Sequence, residues 1–324
     1  LHRTGSRFRR RRPIIAPFAS HPPALPRRLP RMHKTELDRL AIGLMVVLCS
    51  IWGLQQVAIK LASAGISPVW QAGLRSIGAT VIVVVWALLR GVKLFERDRS
   101  LAPGLLAGAL FAGEFAMIFL GLQHTSASRG VIFLYTAPFF VALGAVWLLP
   151  QEHMRRWQWM GMALAFAGVL ALFGENLFSA AEGAWVGDLM LLGAAVLWAA
   201  TTLTVKASAL ARASAEKTLL YQLGVSALVL PPLSLAMGEP GVFAPTPMVW
   251  ANLFFQAAIV AGVSYLAWFW LVREYPATRL SSFSFLTPVM GVLAGGLILG
   301  EPLTPAVFAA LFLVGSGIWV ANRS

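Results

Sequence analysis

Glu114 and Arg75 are the two ionisable residues that fall clearly inside long apolar segments of this chain. A charge at membrane depth costs at least about 2.5 kcal/mol on insertion scales, so such a residue is first a candidate for handling a proton, an ion or a solute. Glu114 lies thirteen residues into its segment, a rise of about 20 Å, and Arg75 lies six residues into one that runs the opposite way, a rise of about 10 Å. Across a hydrocarbon core of about 30 Å the two depths coincide. The pair reads either as an acid and a base facing a shared interior, where a passing solute or proton changes the protonation of Glu114, or as an inert buried ion pair.

Neutral hydrogen-bonding groups lie near that level. Gln55 and Gln56 of the first segment and Tyr135 of the fourth fall in the same half of the membrane, and amides and phenols suit the orientation of a bound solute. Thr201, Thr202, Tyr221 and Ser284 are their counterparts later in the chain, none of them charged. Each polar group taken alone serves equally well in a helix-to-helix hydrogen bond. Trp52 and Trp198 read as cavity walls or as packing. Pro138 and Pro288 interrupt a helical ladder, either as bends that work in gating or as fixed kinks. Lys60, Lys206, Arg129 and Arg279 fall near segment ends, where long side chains reach the headgroups, and are expected to be anchors.

Other chemistries lack their residues. The five histidines are His2, His21, His33, His124 and His153, all in tails or near loops, and no two share a helix face at metal-ligand spacing. His124 is either a solvated loop residue or a proton relay. No Gly-x-x-x-x-Gly-Lys-Ser/Thr run supports direct use of ATP. No catalytic residue, metal or cofactor is expected. Cys49 is the single cysteine; it forms no intrachain disulfide and reads as a small core residue.

The elements that position these residues must be membrane-spanning helices. Of the 324 residues, 58% are hydrophobic and 12% charged, with a mean hydropathy of +0.74, outside the balance of a soluble domain. A span needs roughly 20 apolar residues, and such runs recur near 40–62, 69–90, 101–123, 129–149 and 157–174, then near 185–206, 216–237, 247–271, 279–299 and 304–321. The fold class is therefore all-α, an integral membrane protein of ten transmembrane helices.

The formal net charge of +13 raises nucleic acid as a partner, but its distribution points to the lipid bilayer. With the N-terminus in the cytoplasm, 23 of the 26 Lys and Arg fall on cytoplasmic segments, and loops such as 175–184 and 238–246 on the other side carry none. A missed or invented span would spoil this alternation, so ten spans and two cytoplasmic termini are expected in a cell membrane, plasma or inner. Residues 1–39 hold eleven of the basic residues together with several prolines and are expected to be a disordered basic segment. Met32 is a candidate natural start.

Two patterns recur about 150 positions apart. Trp52 precedes Lys60 by eight residues and Trp198 precedes Lys206 by eight. Ala127-Ser128-Arg129 is followed by Pro138, and Ala277-Thr278-Arg279 by Pro288, each proline nine residues after the arginine. Five spans per copy is an odd number, so the second copy enters the membrane from the opposite side and the repeat is inverted, 40–174 against 185–322. Inverted repeats allow two near-equivalent packings around a site between the halves.

With these motifs, Pro68 and Arg75, and the Thr287-Pro288 and Gly300-Glu301-Pro302 runs, the chain resembles the EamA-like permeases of the drug/metabolite transporter superfamily over about 40–322. Pro150-Gln151-Glu152 departs from the Gly-Glu with which the second copy closes. The resemblance implies a secondary transporter, often an exporter, of amino acids, metabolites or drug-like compounds. The expected function is alternating-access transport of a small molecule, with coupled protons and a homodimer both compatible. A membrane-embedded enzyme acting on lipid-linked substrates is the alternative. It would need a nucleophile or paired acid and base at headgroup level, and the sequence offers no such cluster.

Overall fold

The computed structural model describes residues 36–94, 96, 98–122, 124–125, 127–152, 154–174, 183–300 and 303–323, together with His2. The expected disordered segment, the Met32 start, His153 and Glu301 lie outside the described residues, apart from the lead into the first helix. The helices all belong to one compact unit, His33–Ser324.

Ten spans are present among the described residues. The first three are α1 (Arg39–Ala62), α2 (Pro68–Leu89) and α3 (Leu101–Gly121). The fourth is split into α4 (Ala127–Leu134) and α5 (Ala137–Leu148), and the fifth is α6 (Arg156–Phe173). The sixth and seventh are α7 (Ala184–Ala207) and α8 (Ala215–Ala236). The eighth joins α9 (Pro247–Phe255) to α10 (Tyr265–Glu274) through a π-helical stretch, Gln256–Ser264. The ninth is split into α11 (Ala277–Phe283) and α12 (Leu286–Leu299), and the tenth is α13 (Pro305–Ala321). Nine of these spans are long and apolar enough to cross a bilayer by length and composition, and α13 is a shorter apolar helix.

Local chemistry fixes the helix starts. The Asp38 carboxylate accepts the Ala41 N–H at 2.9 Å, and the Ser214 hydroxyl accepts that of Lys217 at 3.1 Å; both satisfy donors that the first turn leaves without partners. Pro68, Pro247 and Pro305 open their helices at positions where the missing N–H costs nothing.

The fourth and ninth spans are interrupted next to their prolines. Both break three residues before the repeated proline, at Tyr135 and at Phe285, where tighter contacts take over: Thr136 N–H to the Phe133 carbonyl at 3.2 Å, Thr287 N–H to the Ser284 carbonyl at 3.0 Å. Pro138 and Pro288 then fall in the first turn of a new helix, which they tolerate.

The packing follows the inverted repeat. The second span packs on the seventh, α2 on α8, and the fifth on the tenth, α6 on α13, each pairing a span with its own mate. The other contacts come in exchanged pairs: α1 on α12 answers α5 on α7, and α3 on α7 answers α1 on α9. Glycines permit the closest crossings. A Cβ on Gly161 of α6 would lie 2.6 Å from the Gly317 carbonyl oxygen of α13, and one on Gly317 the same distance from that of Gly161. Large apolar side chains such as Trp147, Leu228 and Leu297 point outward, as a bilayer requires.

Candidate functional site

Helices of the first repeat and the second converge on one cavity. On α1 it is lined by Trp52, Gln55 and Ile59, and on α3 by Phe111, Glu114, Phe115 and Ile118. Tyr135, at the break of the fourth span, joins Val131 and Leu134 of α4; α7 adds Trp198, Thr201 and Thr202. These are steps of three and four, which put side chains on one helix face. Gln222 of α8 and Tyr265, Trp268 and Phe269 of α10 complete the inner wall. The cavity volume is about 220 Å³.

The sequence-expected residues Trp52, Gln55, Glu114, Tyr135, Trp198 and Thr202 all reach this wall. The Gln56 side chain lies outside the described residues. Arg75 is buried but stands behind the wall: its guanidinium lies over the Phe115 ring, 4.2 Å from the centroid, and its Nε and Nη2 make no hydrogen bond. Arg75 and Glu114 form no ion pair within 4.0 Å. Pro138 and Pro288 lie just beyond the breaks, outside the cavity lining.

Aromatic edges hold the wall in shape. Trp52 meets Trp268 edge to face at 5.6 Å and Tyr265 at 6.4 Å, while its repeat mate Trp198 meets Tyr135 at 5.9 Å. The Trp52 indole N–H donates to the Ser264 hydroxyl at 2.9 Å. Ser264 ends the π-helical stretch, whose other end carries Gln256, bonded to Gln71 at 3.0 Å. π-turns inside α-helices often mark functional positions. Sequence reasoning missed Gln222, Ser264 and Tyr265.

Two of the expected anchors, Arg129 and Lys206, behave differently. Arg129 donates from Nε to Asp188 Oδ1 at 3.2 Å and pairs through Nη2 with Oδ2; the Thr125 hydroxyl joins the same carboxylate at 2.8 Å. Lys206 donates to the carbonyls of Val272, at 2.7 Å, and Tyr275, and sits 3.6 Å from Glu152. Both cations are nearly buried and satisfied by protein, so they tie spans together instead of reaching for headgroups. Asp188, four residues into α7, was readable as a charge in an apolar run by the same rule that picked Glu114.

The cavity treats the two repeats unequally. It extends to where α1 and α3 end and α4 begins, at Ile59, Leu122 and Val131. The repeat relates Ile59, Val131 and Leu134, all part-exposed, to Val205, Ser281 and Ser284, all buried. At that second end Lys206, Glu152 and Thr278 bridge the halves, with Thr278 N–H donating to Glu152 Oε2 at 3.2 Å. One end is open and its mirror image is shut. Among the described residues no group of His, Cys, Asp and Glu is arranged to hold a metal.

The sequence profile of the EamA-like transporter family matches residues 39–174 and again 185–323, once in each repeat. The chain belongs to the EamA-like transporter family. It is similar to the uncharacterized transporter YvbV of Bacillus subtilis, at 28% identity over 86% of this chain and 90% of that one. It is similar also to the uncharacterized transporter YoaV of the same organism, at 24% over 83% and 92%. The uncharacterized inner membrane transporter YedA of Escherichia coli is 24% identical over 84% of this chain and 87% of its own. A protein of known crystal structure superposes with a TM-score of 0.77 at 20% identity, covering 88% of this chain and 97% of that one, and shares the fold. As an EamA-like protein the chain is a multi-pass membrane transporter of small molecules, in a family of transporters and not of enzymes.

Proposed function

We propose that this EamA-like protein is a secondary transporter that exports a small metabolite, amino acid or drug-like compound by alternating access, through the cavity between its repeats. The observation that carries the reading is the inequality of equivalent residues: Ile59 lines the cavity while Val205 is buried, and Leu134 lines it while Ser284 is buried. Two chemically similar halves held in different conformations can exchange them, and the exchange moves the opening to the other side.

The alternation of basic loops puts both termini in the cytoplasm of the plasma or inner membrane, so the open end of the cavity faces outward. Glu114 supplies a carboxyl group to its wall and carries the coupling, with Arg75 as the charge it answers to. Gln55, Gln56, Tyr135, Trp52, Trp198 and Thr202 orient the solute, and the breaks at Pro138 and Pro288 are the bends of the gates. A proton is the coupling ion.

Thiol accessibility tests the exchange. In a Cys49→Ala background, Ile59→Cys is expected to react with an impermeant reagent from outside, and Val205→Cys not at all. On addition of solute the inner position becomes reactive from the cytoplasm as the outer one is protected. If both positions keep fixed reactivity under every solute and gradient, alternating access is wrong.

A further inference from the structure

Several of the wall's hydrogen-bonding groups present acceptors, while the Gln55 amide, which makes no hydrogen bond to a described residue, offers both a donor and an acceptor. The hydroxyl of Thr201 donates to the Leu197 carbonyl at 2.9 Å, and that of Thr202 to the Trp198 carbonyl at 3.1 Å, so both present lone pairs to a solute. The Trp52 indole N–H is spent on Ser264. The Gln222 amide nitrogen points at the Thr218 carbonyl, 3.4 Å away, whereas its buried Oε1 has no partner. Tyr135 and Tyr265 hydroxyls can turn either way.

Charge has the same sense. Glu114 is the carboxyl of the wall, and among the described residues no Lys, Arg or His lines it. It is hydrogen-bonded to no described residue. Arg75 is withdrawn behind Phe115. The same cavity is lined by the rings of Trp52, Phe111, Tyr265 and Trp268, and ring faces attract cations most strongly where water is scarce. A solute carrying its own carboxylate would meet like charge at Glu114, with the Gln55 amide as its fixed donor. The volume of about 220 Å³ falls below the 300 to 1,000 Å³ or so of sites for drug-sized ligands.

We propose that the cavity takes a small protonated amine with an aromatic or apolar body, its ammonium N–H groups donating to Glu114 and its remaining donors to Gln222, Thr201 and Thr202. The assignment rests on the reading that this cavity is the transport site, and it names the class of solute carried. Charge-assisted hydrogen bonds in a dry, ring-lined site give the amine its advantage over a neutral body of the same shape.

Three probes of one shape separate the possibilities: phenethylamine, phenylalanine and 2-phenylethanol, titrated against the purified full-length protein by quenching of its tryptophan fluorescence, and then offered in proteoliposome counterflow. Phenethylamine is expected to bind at least about tenfold more tightly than either of the others. Glu114→Gln removes that preference, Glu114→Asp keeps part of it, and Thr202→Val weakens the amine a few-fold in a helix that has no need of the hydroxyl. Equal or tighter binding of phenylalanine or 2-phenylethanol, survival of the preference in Glu114→Gln, or no binding by any probe overturns the assignment. If phenylalanine is carried and the amine is not, the amine assignment fails and the transport site stands. If the amine binds as expected and nothing is carried, the transport reading fails instead.

Discussion

The guanidinium of Arg75 lies over the ring of Phe115, the residue next to Glu114, with its carbon 4.2 Å from the ring centroid and two of its nitrogens without hydrogen bonds. Stacking on a ring returns about 2 kcal/mol when desolvated, short of the several kcal/mol that burying a charge costs. The resting protein therefore carries a charge it does not need for packing. Arg75→Met is expected to leave thermal stability in detergent unchanged or raised by about 1 kcal/mol while abolishing transport. A variant that unfolds would make Arg75 a structural residue.

The buried pairs at the two ends of the repeats predict the opposite. Asp188→Asn leaves the buried Arg129 without its counter-charge, and removal of one partner of such a pair costs about 3–5 kcal/mol. A double change, Asp188→Asn with Arg129→Gln, is expected to recover part of that loss. Chemical or thermal unfolding of the three variants gives the coupling directly, and additive losses would show that the pair does not act as a unit.

Contact between α6 and α13 depends on two glycines facing each other's carbonyls. Gly161→Ala places a Cβ 2.6 Å from the Gly317 oxygen, a distance that forces the helices apart. Overpacking of this kind costs about 1–3 kcal/mol. Gly224, with open space where its Cβ would be, is the control: Gly224→Ala is expected to be neutral or slightly stabilising because alanine favours the helix.

Acid sensitivity should have one local source outside the spans. The Ser100 hydroxyl and the Lys217 ammonium, at 2.6 and 2.9 Å, hold the Asp98 carboxyl down to about 2 from its ordinary 3.8. A depressed carboxyl stabilises the fold above its unfolded value and loses that contribution as pH falls through its folded value. Between about pH 4 and pH 2 the wild type should lose stability faster than Asp98→Asn. Parallel pH curves for the two proteins would show that the cluster contributes nothing.

Much of this site is legible in the sequence because the membrane simplifies the code. Glu114 stands out as a charge in an apolar run, and the recurrence of Trp52 at Trp198 and of Pro138 at Pro288 marks the repeat. Tyr265 is not legible. Its span is apolar on every side, and the face it shows depends on the π-helical stretch before it, whose i→i+5 closure turns the downstream side chains relative to a plain α-helix. Lys206 and Arg129 mislead for a related reason: a cation near a span end reads as a headgroup anchor unless one knows that Glu152 and Asp188 are brought beside them from distant segments. Spacing along one helix reveals a face, but only packing reveals what the face meets.

Accumulation in proteoliposomes with and without an imposed pH gradient shows whether Glu114 couples solute movement through this cavity. The wild type is expected to concentrate solute against its gradient only when the pH gradient is present. Glu114→Gln, folded by the same thermal criterion, is expected to lose accumulation while still exchanging solute down its gradient. Accumulation by Glu114→Gln at the wild-type level would make the carboxylate a structural group with no part in coupling.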